Sequence, residues 1–153
     1  MLDVGSKFPD FSLQNQDGKT VTLSDYAGSW LALYVYPKDD TPGCTIQGKS
    51  FTSTKADFDK ANVKVVGVSA DDVASHKSFC NKHGFTIDLL ADPKGELLGA
   101  AQVGQNDYKG TMYWDRTTFV VDPQGVVRKV YLKVKPDGHE QTLLQDIVAL
   151  QKG

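Results

Sequence analysis

The stretch SWLALYVYPKDDTPGCT, residues 29–45, decides the fold. From Ser29 to Pro37 it is nearly continuous apolar or aromatic sequence, as in a strand covered on both faces. Thr41 then suits the N-cap of a helix, and Pro42 suits its first position, where a missing N–H costs nothing. Cys44 falls in the first turn, where unpaired amides and the helix dipole favour negative charge. A strand feeding a helix in this way opens an α/β unit, and sites in such sheets gather beyond the carboxyl ends of the strands. Cys44 occupies that place.

Upstream, FSLQNQDGKTVTLSDY reads as two short extended runs around Asp17-Gly18, a hairpin signal. Downstream, helical sequence is expected from about Thr41 to Asn62, with a thin apolar stripe of Phe51, Phe58 and a few alanines. VKVVGVSA is a second buried strand, and Asp71 or Asp72 caps a helix that stops near Gly84. IDLLAD is a short strand, with Asp92-Pro93 opening another short helix. TTFVVDPQGVVRKVYL gives two antiparallel strands around a Pro-Gln-Gly turn. Asp137 and Glu140 have capping-box spacing ahead of a helix with the stripe Leu143, Leu144, Ile147 and Val148. This order predicts one domain over residues 1–153, a three-layer α/β sandwich with a mixed central sheet and an N-terminal β-hairpin.

The whole chain narrows the function. With 153 residues, 40% of them hydrophobic and 24% charged, it can bury a substantial core. A formal net charge of −2 with mixed signs argues against nucleic acid as partner, and no apolar run reaches the roughly 18 residues of a membrane span. The start, MLDVGSKFPDF, has no basic region followed by an apolar stretch, so no signal peptide is expected. Two cysteines in such a chain are more often reactive or structural thiols than a disulfide framework, which points to a reducing, cytoplasmic setting.

Pro37-Lys-Asp-Asp-Thr41-Pro-Gly-Cys44 matches the Pro-x-x-x-Thr-x-x-Cys motif of peroxiredoxins, and YPKDDTPGCT resembles their bacterioferritin-comigratory, or Q-type, branch. FPDFSLQNQDGKTVTLSDYAG, VKVVGVSADD and DRTTFVVDPQG are similar to successive parts of that family, so the resemblance runs the length of the chain. It implies a thioredoxin-like fold and a thiol-dependent peroxidase that needs no haem, flavin or metal cofactor. Cys44 would be the peroxidatic cysteine, attacking a hydroperoxide oxygen and becoming a sulfenic acid. Arg116 would stabilise the thiolate and the charge developing on the leaving oxygen. Thr41 would offer its hydroxyl to the peroxide, Pro37 would shield the sulfur from water, and the amides of Gly43 and Cys44 would act as donors. Thioredoxin or a similar dithiol protein would recycle a largely monomeric enzyme.

Many members of that branch carry a resolving cysteine five residues after the first, but here that position is Lys49. The only other thiol is Cys80, in VASHKSFCNKHGF, and some members place the resolving cysteine on that later helix. Cys80 could instead pack in the core beside Phe79, which would leave a one-cysteine peroxidase. His76, Cys80 and His83 share a helix face and offer a rival metal or binding module, although three ligands on one helix need a fourth from elsewhere. A disulfide oxidoreductase is disfavoured because no Cys-x-x-Cys pair is present. His139 is expected to be exposed. Tyr108, Met112, Tyr113 and Trp114 precede Arg116 and are candidates for the wall of a pocket suited to bulky peroxides.

Overall fold

Every residue of Trp30–Val35 is buried in the computed structural model, which describes residues 2–153. In chain order, a hairpin of β1 (Ser12–Gln14) and β2 (Thr20–Thr22) leads through a 3-10 turn to β3 (Trp30–Val35). Then come α1 (Pro42–Ser53), α2 (Lys55–Lys60), β4 (Val63–Ser69), α3 (Val73–His83), β5 (Asp88–Ala91) and α4 (Glu96–Ala100). A second hairpin, β6 (Gln105–Tyr108) and β7 (Thr111–Trp114), precedes β8 (Thr117–Val121), β9 (Val127–Leu132) and α5 (His139–Lys152).

Seven strands form one sheet in the order β2-β1-β5-β4-β3-β8-β9. The central β3, β4 and β5 are parallel, while β8 pairs antiparallel with β3 and β9 antiparallel with β8. Side chains leave β3 alternately, as the period of two requires. Leu31, Leu33 and Val35 enter one apolar cluster with Leu97 and Leu98 of α4 and with Phe8 and Phe11. Ala32 and Tyr34, with Tyr36 just beyond, enter the other, built with Phe51, Phe58, Phe79, Leu143 and Ile147 from α1, α2, α3 and α5. The result is the three-layer α/β sandwich with a mixed sheet that the sequence predicts.

Several local expectations are corrected. The helix read as Thr41 to Asn62 is two helices, broken at Thr54 (φ −101°, ψ 4°). There the hydroxyls of Ser53 and Thr54 both donate to Ser50 O, at 2.9 and 2.8 Å, competing with the helical ladder. Asp92 does act as a cap, but for a helix that begins three residues after Pro93. Its carboxylate accepts from the amides of Glu96 and Leu98, both at 2.9 Å. The capping box at Asp137 and Glu140 does not form, because left-handed Gly138 (φ 75°) is the N-cap. The β6–β7 hairpin has no counterpart in the sequence reading. Its turn is Lys109-Gly110, with positive φ at both residues, rather than the Asn-Gly or Asp-Gly that usually announces such turns.

His139 is buried rather than exposed. Its Nε2 hydrogen-bonds with Thr118 Oγ1 at 2.9 Å, and its ring packs edge-on against Phe51 and Tyr131. Burial lowers its pKa to about 4. An unfolded histidine titrates near 6.5, so between these values the unfolded chain binds more protons and stability falls as pH is lowered. The full difference is roughly 3 kcal/mol. Denaturant titrations at pH 7 and pH 4 should therefore show the parent losing roughly 3 kcal/mol more than His139→Gln. An equal loss in both would mean that His139 is already protonated in the folded protein.

Candidate active site

The chain leaves the carboxyl end of β3 through Tyr36 to Asp40 and enters α1 at Thr41. Thr41 has the extended backbone of an N-cap (φ −94°, ψ 156°), but its hydroxyl does not cap the helix; it donates to Lys38 O at 3.0 Å. With its proton committed there, the oxygen keeps its lone pairs as acceptors. The first backbone bond of the helix runs from Thr45 N to Thr41 O at 2.9 Å, so the amides of Gly43 and Cys44 precede the ladder.

The side chain of Cys44 is buried, with 2% of its surface exposed. Arg116, in the short link between β7 and β8, spans two residues of α1: Nη2 donates to Cys44 Sγ at 3.4 Å and Nη1 to Gln47 Oε1 at 2.6 Å. The backbone of Arg116 is held as well, its carbonyl accepting from Val134 N at 3.1 Å. Gly43 makes this approach possible, because a Cβ there would collide with Nη2 and sit 3.3 Å from Pro136 Cγ.

A cavity of about 630 Å³ opens over this point. Pro37, Thr41, Gly43 and Arg116 line it; Cys44 is not in the lining, but its sulfur is 3.4 Å from Nη2 of the lining Arg116. One wall is apolar, with Tyr108, Tyr113, Trp114 and Val134; Lys38 and Lys133 add positive charge beside Arg116, and Asp115 the one negative charge. Met112 is not part of the lining: at 55% exposed it projects outward from β7. The sequence reading missed Gln47 and Lys133. Gln47 was within reach of that reading, because the third residue after Cys44 shares its helix face.

Cys80 lies elsewhere, on α3, buried in the same apolar cluster as Cys44 but not on the cavity. Both thiols are free. Burial pushes the Cys80 thiol up to about 12, with the Asp39 carboxylate adding to the effect. Tyr34 is buried near both cysteines, and its phenol is pushed well above its ordinary range by burial first and by the two sulfurs second.

The face of His76, Cys80 and His83 does not form a ligand set. His76 Nδ1 hydrogen-bonds with Asp39 Oδ2 at 2.7 Å and Nε2 donates to Leu90 O at 2.9 Å, so both ring nitrogens are engaged. His83 turns away and donates from Nε2 to Asp40 Oδ1 at 3.0 Å. Among the described residues no helix is long and apolar enough to cross a membrane.

Residues 4–130 match the AhpC/TSA family. The chain is 41% identical over 155 residues to peroxiredoxin Bcp of Xanthomonas campestris, covering 99% of this chain and 97% of that protein. A cysteine-to-serine mutant of PrxQ from Xylella fastidiosa has a similar structure, with a TM-score of 0.93 and 33% identity over 99% of this chain and 98% of that one. The bacterioferritin comigratory protein of X. campestris, studied for alkyl peroxide reduction, superposes with a TM-score of 0.87 and 36% identity, each chain 97% covered. These likenesses cover nearly the whole chain and agree with the fold described above: the chain belongs to the AhpC/TSA family and is a thiol-dependent peroxidase of the peroxiredoxin Bcp/Q group.

Proposed function

We propose that Cys44 is the peroxidatic cysteine and Arg116 the residue that stabilises its thiolate and the transition state. The observation that carries this is the fork of Arg116, one arm on Cys44 Sγ and the other on Gln47 Oε1. The thiolate attacks the terminal oxygen of a hydroperoxide, the O–O bond breaks, and Cys44 becomes a sulfenic acid while the alkoxide takes a proton and leaves as an alcohol. Arg116 and the amides of Gly43 and Cys44 point donors at the oxygen on which charge grows. The Thr41 oxygen accepts from the peroxide O–H, and Pro37 keeps water away. Hydrogen peroxide fits this site, and the apolar wall of Tyr108, Tyr113, Trp114 and Val134 gives the carbon chain of an organic hydroperoxide a place to lie.

Cys80 then attacks the sulfenic sulfur, and a dithiol protein of the thioredoxin type reduces the disulfide. Both thiols belong to one chain and one apolar cluster, so the cycle needs no second subunit, which supports a single-domain monomer. A dithiol reductant requires a compartment that keeps such proteins reduced, which is the basis for assigning the enzyme to the cytoplasm.

Arg116→Lys keeps the charge but loses the planar fork, so peroxide-dependent oxidation should slow roughly 10²-fold in stopped-flow assays. Turnover at the parent rate would exclude Arg116 from transition-state stabilisation. Cys80→Ser should consume one equivalent of peroxide, then stall with thioredoxin or go on to the sulfinic acid, as mass spectrometry would record. Normal cycling by that variant would make this a one-cysteine enzyme with Cys80 packed in the core.

A further inference from the structure

Asp39 and Asp40 lie between the end of β3 and Thr41, and neither touches the cavity. Each makes two side-chain contacts to α3, the helix that carries Cys80. Asp39 is buried and collects three partners: the Tyr36 hydroxyl donates at 2.6 Å, the Ser75 hydroxyl at 2.7 Å, and His76 Nδ1 bonds at 2.7 Å. Its own amide donates to Asp71 Oδ2 at 2.8 Å, and that same oxygen accepts from Ser69 Oγ at 2.6 Å. Asp40 is exposed and takes Lys82 Nζ at 2.7 Å and His83 Nε2 at 3.0 Å. These two donors hold its carboxyl below the ordinary range. The left-handed backbone of Asp40 (φ 59°) turns the chain between the two carboxylates.

The contacts therefore fall on opposite ends of α3. Ser75 and His76 stand in its first turn, Lys82 and His83 in its last, about 10 Å away along the axis. Cys80 stands between them.

We infer that Asp39 and Asp40 form a two-pronged clamp that fastens the Cys44 loop to both ends of the Cys80 helix and so sets how fast the Cys44–Cys80 disulfide forms. This rests on the proposed resolving role of Cys80. In the clamped form Arg116 holds the Cys44 sulfur, and burial keeps the Cys80 thiol protonated at neutral pH. Opening lets water reach Cys80 and lets the two sulfurs approach to bonding distance. The S–H bond of Cys80 and the S–O bond of Cys44 then break, the S–S bond forms, and the proton and hydroxyl leave as water. While the clamp holds, a second hydroperoxide can oxidise the sulfenic acid to sulfinic acid and leave as its alcohol. Asp39 and Asp40 are thus positioning residues for the second step of the cycle, and they divide the sulfenic acid between resolution and over-oxidation.

The test separates the two steps by rapid chemical quench and mass spectrometry of the intact protein. Asp40→Asn removes the charge but keeps a residue that adopts the left-handed region readily. It should form sulfenic acid at the parent rate and disulfide about two- to fivefold faster, the range expected for an exposed charge pair. The peroxide concentration that half-inactivates the enzyme should rise by the same factor. Lys82→Ala should behave likewise, while Lys82→Arg, which keeps the charge, should match the parent. Asp39→Asn loosens the buried prong and should accelerate the second step more than Asp40→Asn; if it fails to fold, Asp40→Asn and Lys82→Ala decide the question. A parent that forms the disulfide while both surface variants form it no faster overturns the clamp alone. A parent that never forms a Cys44–Cys80 bond overturns the resolving role of Cys80 and the clamp with it.

Discussion

Removing a guanidinium from water is costly unless its donors find partners, and Arg116 sets one arm on each of two residues of one helix. Cys44 Sγ and Gln47 Oε1 lie one turn apart on α1, so the fork of the side chain matches the pitch of the helix. Much of the surrounding structure serves this contact. Gly43 leaves room for the guanidinium, Val134 fixes its backbone, and the buried strand β3 delivers the first turn of α1 beneath it. A single helix thus carries the sulfur, the amides ahead of the ladder and the anchor of the cation.

The same contact explains why α1 looks weak as a helix. It buries Cys44, Gln47, Gly48 and Phe51, positions spaced to form one face, yet only Phe51 is a large apolar group. Its inner face is devoted to chemistry and to the close approach of Phe85 at Gly48. Little apolar surface therefore opposes unwinding of its first turns. Polar contacts from neighbouring segments, above all at Asp39 and Asp40, supply restraint that packing does not.

The sheet and its layers were legible in the sequence because β3 and β4 are apolar on both faces, a pattern that few other structures produce. The site was legible at Thr41, Pro42 and Cys44 because N-terminal helix chemistry is local. What escaped depends on partners distant in sequence. His139 looked like a surface residue because nothing near it announces Thr118, Phe51 and Tyr131. The break at Thr54 turns on two hydroxyls choosing one carbonyl, and the β6–β7 ribbon on a Lys-Gly turn without the usual Asn or Asp. The His76, Cys80 and His83 face does not assemble as a ligand set for the same reason: its spacing is visible in the sequence, but the partners Asp39, Asp40 and the Leu90 carbonyl are not.

The two apolar clusters on either side of the sheet have unequal working lives. Both cysteines, with residues of α1, α2, α3 and α5, belong to the cluster built on Ala32, Tyr34 and Phe51. The opposite cluster, from Phe8 and Phe11 to Leu97, Leu98 and Phe119, contains no cysteine among the described residues. Strands β3, β4, β5 and β8 each send side chains into both clusters, so the two faces are packed on one shared backbone. A rearrangement confined to the face that carries both cysteines would leave the packing of the other face as it stands.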